Sequence, residues 1–415
     1  MALIDLAMVG RLGNNAIAAL GLSVFSNTLV LSFVSGIAPA VQGIVARRAG
    51  EGSKEPKCVP LNSGLLIALI VGIPLTVFCW LFAPLFFSLI SSDPGVTKIG
   101  VPFLRSLYVG IVAVGMNCAF KGFWAGMERP NVYMLIVLVM NVLNTLLNYV
   151  LIFGHFSAPA MGATGAAVST VLSLYTGVII NTVVAYLCCR RSGFLSFKPQ
   201  RSLFARLIKL ALPATIQDFF LSASYIVFFW MVGQVGTVEL AGANVLVRLT
   251  MVLFLLAMSL GMASATLVSK AVGEGDFAGA TQWGWDAGKL GVIGITLLGL
   301  PLFIFPQAFL SIFLTDLHAI SIAVAPLRIV AATSGIGSMI YILAYTLYSV
   351  GDGTRVTMVS FGTQWVFFLP AVWIVGPYLR YGLLQIWLVH MVHGMIGAGL
   401  ITAIWADGRW KKIKI

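Results

Sequence analysis

Apolar residues in this chain fall into a succession of blocks, all but the first at least about the 20 residues that a helix needs to cross a hydrocarbon core. The breaks between blocks collect glycine, proline and charge. The pattern predicts twelve spans. The first ends before Gly10 and is incomplete; the next five cover about 16–45, 59–90, 101–124, 132–153 and 162–186. After a polar stretch come six more, at about 211–232, 238–268, 288–314, 322–350, 355–375 and 382–405. Pro74 and Pro84 fall inside the third block, where a membrane helix tolerates them if neighbours satisfy the freed carbonyls. Ser91-Ser92-Asp93-Pro94-Gly95 and Gly126-Met127-Glu128-Arg129-Pro130 carry turn chemistry between blocks.

The blocks repeat. Met8-Val9-Gly10-Arg11-Leu12-Gly13 returns as Met231-Val232-Gly233-Gln234-Val235-Gly236, and Val45 to Gly52 returns as Val268 to Gly275, each displaced by 223 positions without a gap. Leu104-Arg105 against Leu327-Arg328 keeps the same offset. The duplicated unit is therefore about half the chain. Six crossings separate the copies, so the halves face the same way and relate by an axis along the membrane normal, an arrangement usual in secondary transporters with alternating access. The expected fold is all-α and membrane-integral: an N-lobe over 1–189, a basic linker over 190–210 and a C-lobe over 211–415.

Composition agrees, with 60% hydrophobic residues, 9% charged residues and a mean hydropathy of +1.01. Such a chain cannot cover a water-facing surface. A net charge of +12 would suggest nucleic acid in a soluble protein, but its distribution argues for topology instead. One set of loops carries Arg47, Arg48, Lys54, Lys57, Lys121, Arg129, Arg190, Arg191, Lys198, Arg201, Arg206, Lys209, Lys270, Lys289, Arg355, Arg409, Lys411, Lys412 and Lys414. The opposite side carries Arg11, Lys98 and Arg380, while Arg105, Arg248 and Arg328 lie within or at the ends of spans. The basic side, with the C-terminus, is expected in the cytoplasm of a plasma or bacterial inner membrane. Cys58, Cys79, Cys118, Cys188 and Cys189 sit in spans or at their cytoplasmic ends, where disulfides are not expected. They read as packing residues, with no metal-ligand spacing.

The first block offers about nine residues before Gly10, roughly 13 Å of helix against a 30 Å core. Met1 aligns with Ser224, well inside the second copy's equivalent helix. The first helix is therefore expected to lack its cytoplasmic half, through a late start in the gene, a shortened chain or gene decay. No cleavable signal peptide is visible.

Function should reside in polar groups at membrane depth. Asp5, among Leu3, Ile4, Leu6 and Met8, is expensive in lipid and is expected to face the bundle interior. Asn141, Asn144 and Asn148 form one stripe on span five. They could solvate Asp5 in either protonation state, offer oxygen to sodium, or serve as interhelical glue. Thr170, following Gly162, Gly165, Ala166 and Ala167, reads first as a close-packing residue. His390 and His393 share a face of span twelve, but without an acidic neighbour they make a poor metal site.

Together these residues resemble the multidrug and toxic compound extrusion (MATE) family. The resemblance is carried by Asp5, Val9, Gly10 and Gly13, the Gly50-Glu51-Gly52 loop and its second copy, Asn144 and Asn148 with Tyr149 to Gly154, and Gly165 to Thr170. It runs over essentially the whole chain. It implies two six-helix lobes exporting organic cations and amphiphiles in exchange for protons or sodium, with Asp5 as the coupling carboxylate and Asn144 and Asn148 beside it. Departures exist: Asn148 stands where one branch has a second carboxylate, and Leu221 and about Met339 stand where another has acids. Gln217, Asp218 and Arg248 remain as possible cavity residues, Asp218 and Arg248 either pairing or lying apart. The expected protein is a monomeric antiporter in membrane lipid, with no cofactor beyond its coupling ion, a proton ahead of sodium. A lipid-linked oligosaccharide flippase and an inactive remnant are the alternatives.

Overall fold

The computed structural model describes residues 2–52, 58–90, 93–156, 158–190, 193–195, 201–314 and 316–413. Lys54, Lys57, Arg191, Lys198, Lys414 and the Ser91-Ser92 of the outer turn lie outside the described residues, as do the side chains of Leu3, Leu6 and Arg11. Eleven described helices are long and apolar enough to cross a membrane. They are preceded by α1, Ala2–Val9, of eight residues.

The regular elements of the first half are α2 (Asn14–Ser35), α3 (Ile37–Gly50), α4 (Val59–Ile90), α5 (Pro94–Val109), α6 (Ile111–Gly126), α7 (Pro130–Phe153) and α8 (Ala163–Cys189). Two spans read from sequence as single blocks are jointed: α2 passes to α3 at Gly36, and α5 to α6 at Gly110. The fourth span also begins earlier than its apolar run suggests. Asp93 accepts a 2.7 Å hydrogen bond from the Gly95 backbone N–H and Pro94 occupies the first turn, a capped start that hydropathy alone does not mark. Pro74 and Pro84 lie inside an unbroken α4, as expected.

The second half comprises α9 (Arg201–Val235), α10 (Thr237–Glu274), α11 (Phe277–Ile304), α12 (Pro306–Ser311), α13 (Leu317–Ser349), α14 (Gly353–Phe361), α15 (Leu369–Trp373) and α16 (Leu383–Ala406). Residues 201–210, read as linker, are helical and continuous with the seventh span. The ninth span starts at Phe277, not near 288, because Asp276 caps it by accepting from Gly279 N–H at 2.8 Å. The eleventh departs from α geometry over Gly362–Phe368 and Ile374–Tyr378, two π-helical stretches flanking α15, where Pro370 and Pro377 interrupt regular hydrogen bonding.

The chain divides into two compact units, Met1–Val45 with Lys54–Thr215, and Ala46–Ser53 with Ile216–Ile415. In the first, α2 packs on α5 and α6, α4 on both, and α7 on α8. In the second, α10 packs on α13, α11 on α13, and α16 on the first π-helical stretch. The repeat seen in sequence is thus a repeat of helix pairings.

α7 shows how lipid inverts the usual pattern. Ile136, Met140, Asn144, Asn148 and Ile152, four apart, are its buried residues. Met134, Leu135, Leu138, Val142 and Leu146 are exposed. With hydrocarbon outside, leucines need no burial and the amides go inward, where they find partners.

Candidate functional site

α1 is short but firmly seated. Val9 at its end is buried with Ala16, Leu20, Phe103, Leu107, Ile152, Ala163, Ala166 and Ala167 in one apolar cluster. This anchor holds the preceding turn of α1 against α7 and α8. Asp5 lies one helical turn before Val9 and is buried, 9% exposed.

The approach of α8 to α7 is set by Gly165. A Cβ there would sit 2.6 Å from the Leu151 carbonyl oxygen, too close for any side chain. Glycine therefore lets the helices nearly touch, and it brings Thr170, just over one turn further, level with Asn144 and Asp5.

The four polar side chains converge. Asn148 Nδ2 donates to Asp5 Oδ1 at 2.5 Å, and Thr170 Oγ1 donates to Asp5 Oδ2 at 3.1 Å. Asn144 Nδ2 donates to Thr170 Oγ1 at 3.1 Å, and Asn148 Nδ2 also approaches Asn144 Oδ1 at 3.4 Å. Asn144 and Asn148 are fully buried. Among the described residues no ion pair reaches Asp5. Both carboxylate oxygens are held by neutral donors, while Asn148 Oδ1 is buried with no hydrogen-bond partner. The arrangement can hold a charged carboxylate and keeps an acceptor in reserve for a proton or a small cation.

Asn141 is the third member of the stripe. It is half-buried, and its amide donates to its own helix at Val137 O, 2.8 Å away. Thr170, read first as packing, is a direct partner of Asp5; its spacing after Gly165 is the signal that identifies it.

In the second unit, Gln217 and Asp218 are half-buried and Arg248 is exposed. Among the described residues no ion pair joins Arg248 to Asp218, and Asp218 also interacts electrostatically with Tyr348. Leu221 is half-buried, and Met339 lines an apolar groove with Trp285, Val292 and Ile293. Among the polar pairs that sequence reasoning missed, Gln364 Nε2 donates to Ser224 Oγ at 2.8 Å, with Trp365 Nε1 donating to Phe220 O at 3.2 Å beside it. These partners lie 140 and 145 residues apart, so no local pattern announces them. The offset of 223 sets Asp5 opposite Phe228. Phe228 is buried against Phe368 and Trp387, at ring distances of 5.6 and 5.8 Å. His390 and His393 pack on the same Phe368, at 5.5 and 4.9 Å. Where the first half holds a carboxylate cluster, the second holds an aromatic one.

An all-helical, multi-pass membrane protein built of two like halves, with a hydrogen-bonded carboxylate buried in one, is a membrane transporter. The MatE family model matches residues 1–150 and 213–374, and the chain belongs to that family. It is similar to a probable multidrug resistance protein NorM of Thermotoga maritima, 24% identical over 98% of this chain and 88% of that protein. The corresponding Rhizobium meliloti protein is 26% identical over 96% and 86%. The fold matches that of the Vibrio cholerae MATE transporter VcmN in its bent form, with a TM-score of 0.87 at 17% identity, covering 98% of this chain and 92% of that one.

Proposed function

We propose that this protein is a multidrug efflux antiporter that exports organic cations and amphiphiles in exchange for protons, with the basic side of its loops and its C-terminus in the cytoplasm. The relatives' description as multidrug resistance proteins supports efflux. The observation that carries the coupling assignment is the hydrogen-bonding of Asp5: two neutral donors, from Asn148 and Thr170, and no ion pair among the described residues.

A carboxylate held this way answers to protons and not to a fixed counter-charge. When Asp5 is ionised, the Asn148 amide and the Thr170 hydroxyl donate to it. When a proton arrives on Asp5 Oδ1, a turn of the Asn148 amide brings its unpartnered Oδ1 to accept from the new O–H, while Thr170 goes on donating to Oδ2. Each oxygen of the Asp5 carboxyl keeps a partner in both states without moving a helix. With Asn148 standing where a second acid could have been, Asp5 is the single titrating carboxylate of the cluster, and one proton crosses per cycle. The oxygens of Asp5, Asn144 and Asn148 also suit sodium, whose ligands are oxygen atoms.

The test is substrate movement in proteoliposomes under an imposed pH gradient or an imposed sodium gradient, using a cationic dye. Efflux driven by the pH gradient is expected. Drive by sodium alone overturns the proton assignment. Equal dye accumulation in expressing and empty-vector cells of a pump-deficient host, with the protein confirmed in the membrane, overturns export itself.

A further inference from the structure

Away from the Asp5 cluster, the first unit holds two thiols in contact. Cys58 immediately precedes α4 and is fully buried; Cys189 ends α8 and is 6% exposed. Their side chains are within hydrogen-bonding reach of each other.

Their proximity is enforced by groups other than sulfur. Asn62, one turn into α4, donates its backbone N–H to Cys58 O at 3.1 Å. Its side chain reaches across to the segment that follows α8, donating to Gly193 O at 2.9 Å and accepting from Leu195 N–H at 3.2 Å. Between those two residues, Phe194 is buried and donates its N–H to Cys189 O at 3.4 Å. The turn after Cys58 and the turn after Cys189 are thus fastened together by an amide and a buried ring. Such contacts hold two sulfurs at a fixed approach whether or not they are bonded, which is what a reversible disulfide requires.

We propose that Cys58 and Cys189 form a site of reversible oxidation, in which a hydroperoxide joins them into a disulfide that ties the start of α4 to the end of α8. One cysteine, as thiolate, attacks a peroxide oxygen; the O–O bond breaks, giving a sulfenic acid and, from hydrogen peroxide, one water. The second thiol attacks the sulfenic sulfur, forming the S–S bond and releasing another water. The two sulfurs together give up two electrons and the peroxide takes them; a dithiol reductant returns the pair to the thiol state. The resting pair is reduced, in keeping with a cytoplasmic position. Oxidation adds a covalent staple where the chain leaves the first repeat.

The experiment uses the full chain, purified in detergent with thiols reduced. The protein is exposed to hydrogen peroxide, free thiols are blocked with iodoacetamide, and unreduced digests are examined by mass spectrometry. The expected result is a linked peptide pair containing Cys58 and Cys189. It forms equally in Cys79→Ser, Cys118→Ser and Cys188→Ser, is lost in Cys58→Ser and Cys189→Ser, and disappears with dithiothreitol. The oxidised wild type should also unfold at a higher temperature than the reduced one. Because the deciding measurement is on wild-type protein, misfolding of a variant cannot imitate the result. Recovery of Cys58 and Cys189 as carbamidomethylated thiols after oxidation, or linkage of either through Cys188, overturns the proposal.

Discussion

Replacing Asp5 by asparagine separates the chemistry of the proposed coupling site from its architecture. Asparagine keeps the volume and one acceptor oxygen, so the 2.5 Å bond from Asn148 can persist. On the other side the new amide N–H₂ faces Thr170, whose hydroxyl turns from donor to acceptor across the same 3.1 Å. At most one hydrogen bond weakens, a cost of about 1 kcal/mol. Alanine differs: it leaves the Asn148 amide facing a void, at about 1–3 kcal/mol for the unpaired buried group, plus the cavity. Transport should respond in the opposite order of subtlety. One carboxylate carrying one proton lets a pH gradient of one unit, about 1.4 kcal/mol, sustain roughly a tenfold substrate gradient. Without a titratable group the carrier equilibrates its substrate to a ratio of about one. The assay is dye distribution across proteoliposomes at an imposed pH difference, beside thermal unfolding of the detergent-purified variants. Asp5→Asn should lose the gradient and keep the unfolding temperature, whereas Asp5→Ala should lose both. Wild-type efflux from Asp5→Asn under either a pH or a sodium gradient would remove Asp5 from the mechanism.

Asn148→Ala should lower the sustained substrate gradient severalfold by removing a direct donor to Asp5, while Asn141→Ala, whose amide serves its own helix, should leave it unchanged; parallel proteoliposome assays compare the two. Gly165→Ala places a methyl 2.6 Å from the Leu151 carbonyl, so α8 must back away from α7; a loss of about 1–3 kcal/mol in stability and weakened coupling through Thr170 are expected, read by thermal unfolding and dye efflux. At the C-terminus, Arg355 donates to Asp407 at 2.5 Å and to Asp352, while Trp410 stacks on Trp405 at 4.5 Å. Partial burial acts to raise the Asp407 carboxyl, but the Arg409 backbone N–H and the Arg355 guanidinium outweigh it and hold the group below its ordinary value. A depressed carboxyl stabilises the segment above its unfolded value and loses that contribution as pH falls through the folded one. Tryptophan fluorescence should therefore stay constant from neutral pH down to the ordinary carboxylate range and change only below it, whereas Asp407→Asn should show the loosened signal at neutral pH.

Two helix starts show where hydropathy stops being informative. Asp93 and Asp276 each begin a helix well before its apolar run, because a polar cap and first turn are helical without being hydrophobic. The basic segment from Arg201 was legible as polar, but its helicity was not. Thr170 was misweighed for another reason: a threonine among small residues is good packing, and only the position of Asp5 on another helix turns its hydroxyl into a ligand.

The sequence by itself determined the solvent and the plan. Apolar blocks of membrane length, an asymmetric distribution of lysine and arginine and a displacement of 223 positions are one-dimensional properties, and they specify a duplicated helical membrane protein. The depth of Asp5 and the helical spacing of Asn144 and Asn148 are likewise periodicities that a chain carries with it. Which polar groups meet was decided only by tertiary structure. Asp5 is 143 residues from Asn148 and 165 from Thr170; the contact depends on how closely α8 approaches α7, set by Gly165, and on how α1 is pinned by Val9. The same holds for Gln364 with Ser224 and for Cys58 with Cys189. A hydrogen bond acts over about 3 Å, while the helices that deliver its two ends are placed by packing along their whole length, so helix pattern is written locally and the sites between helices are not.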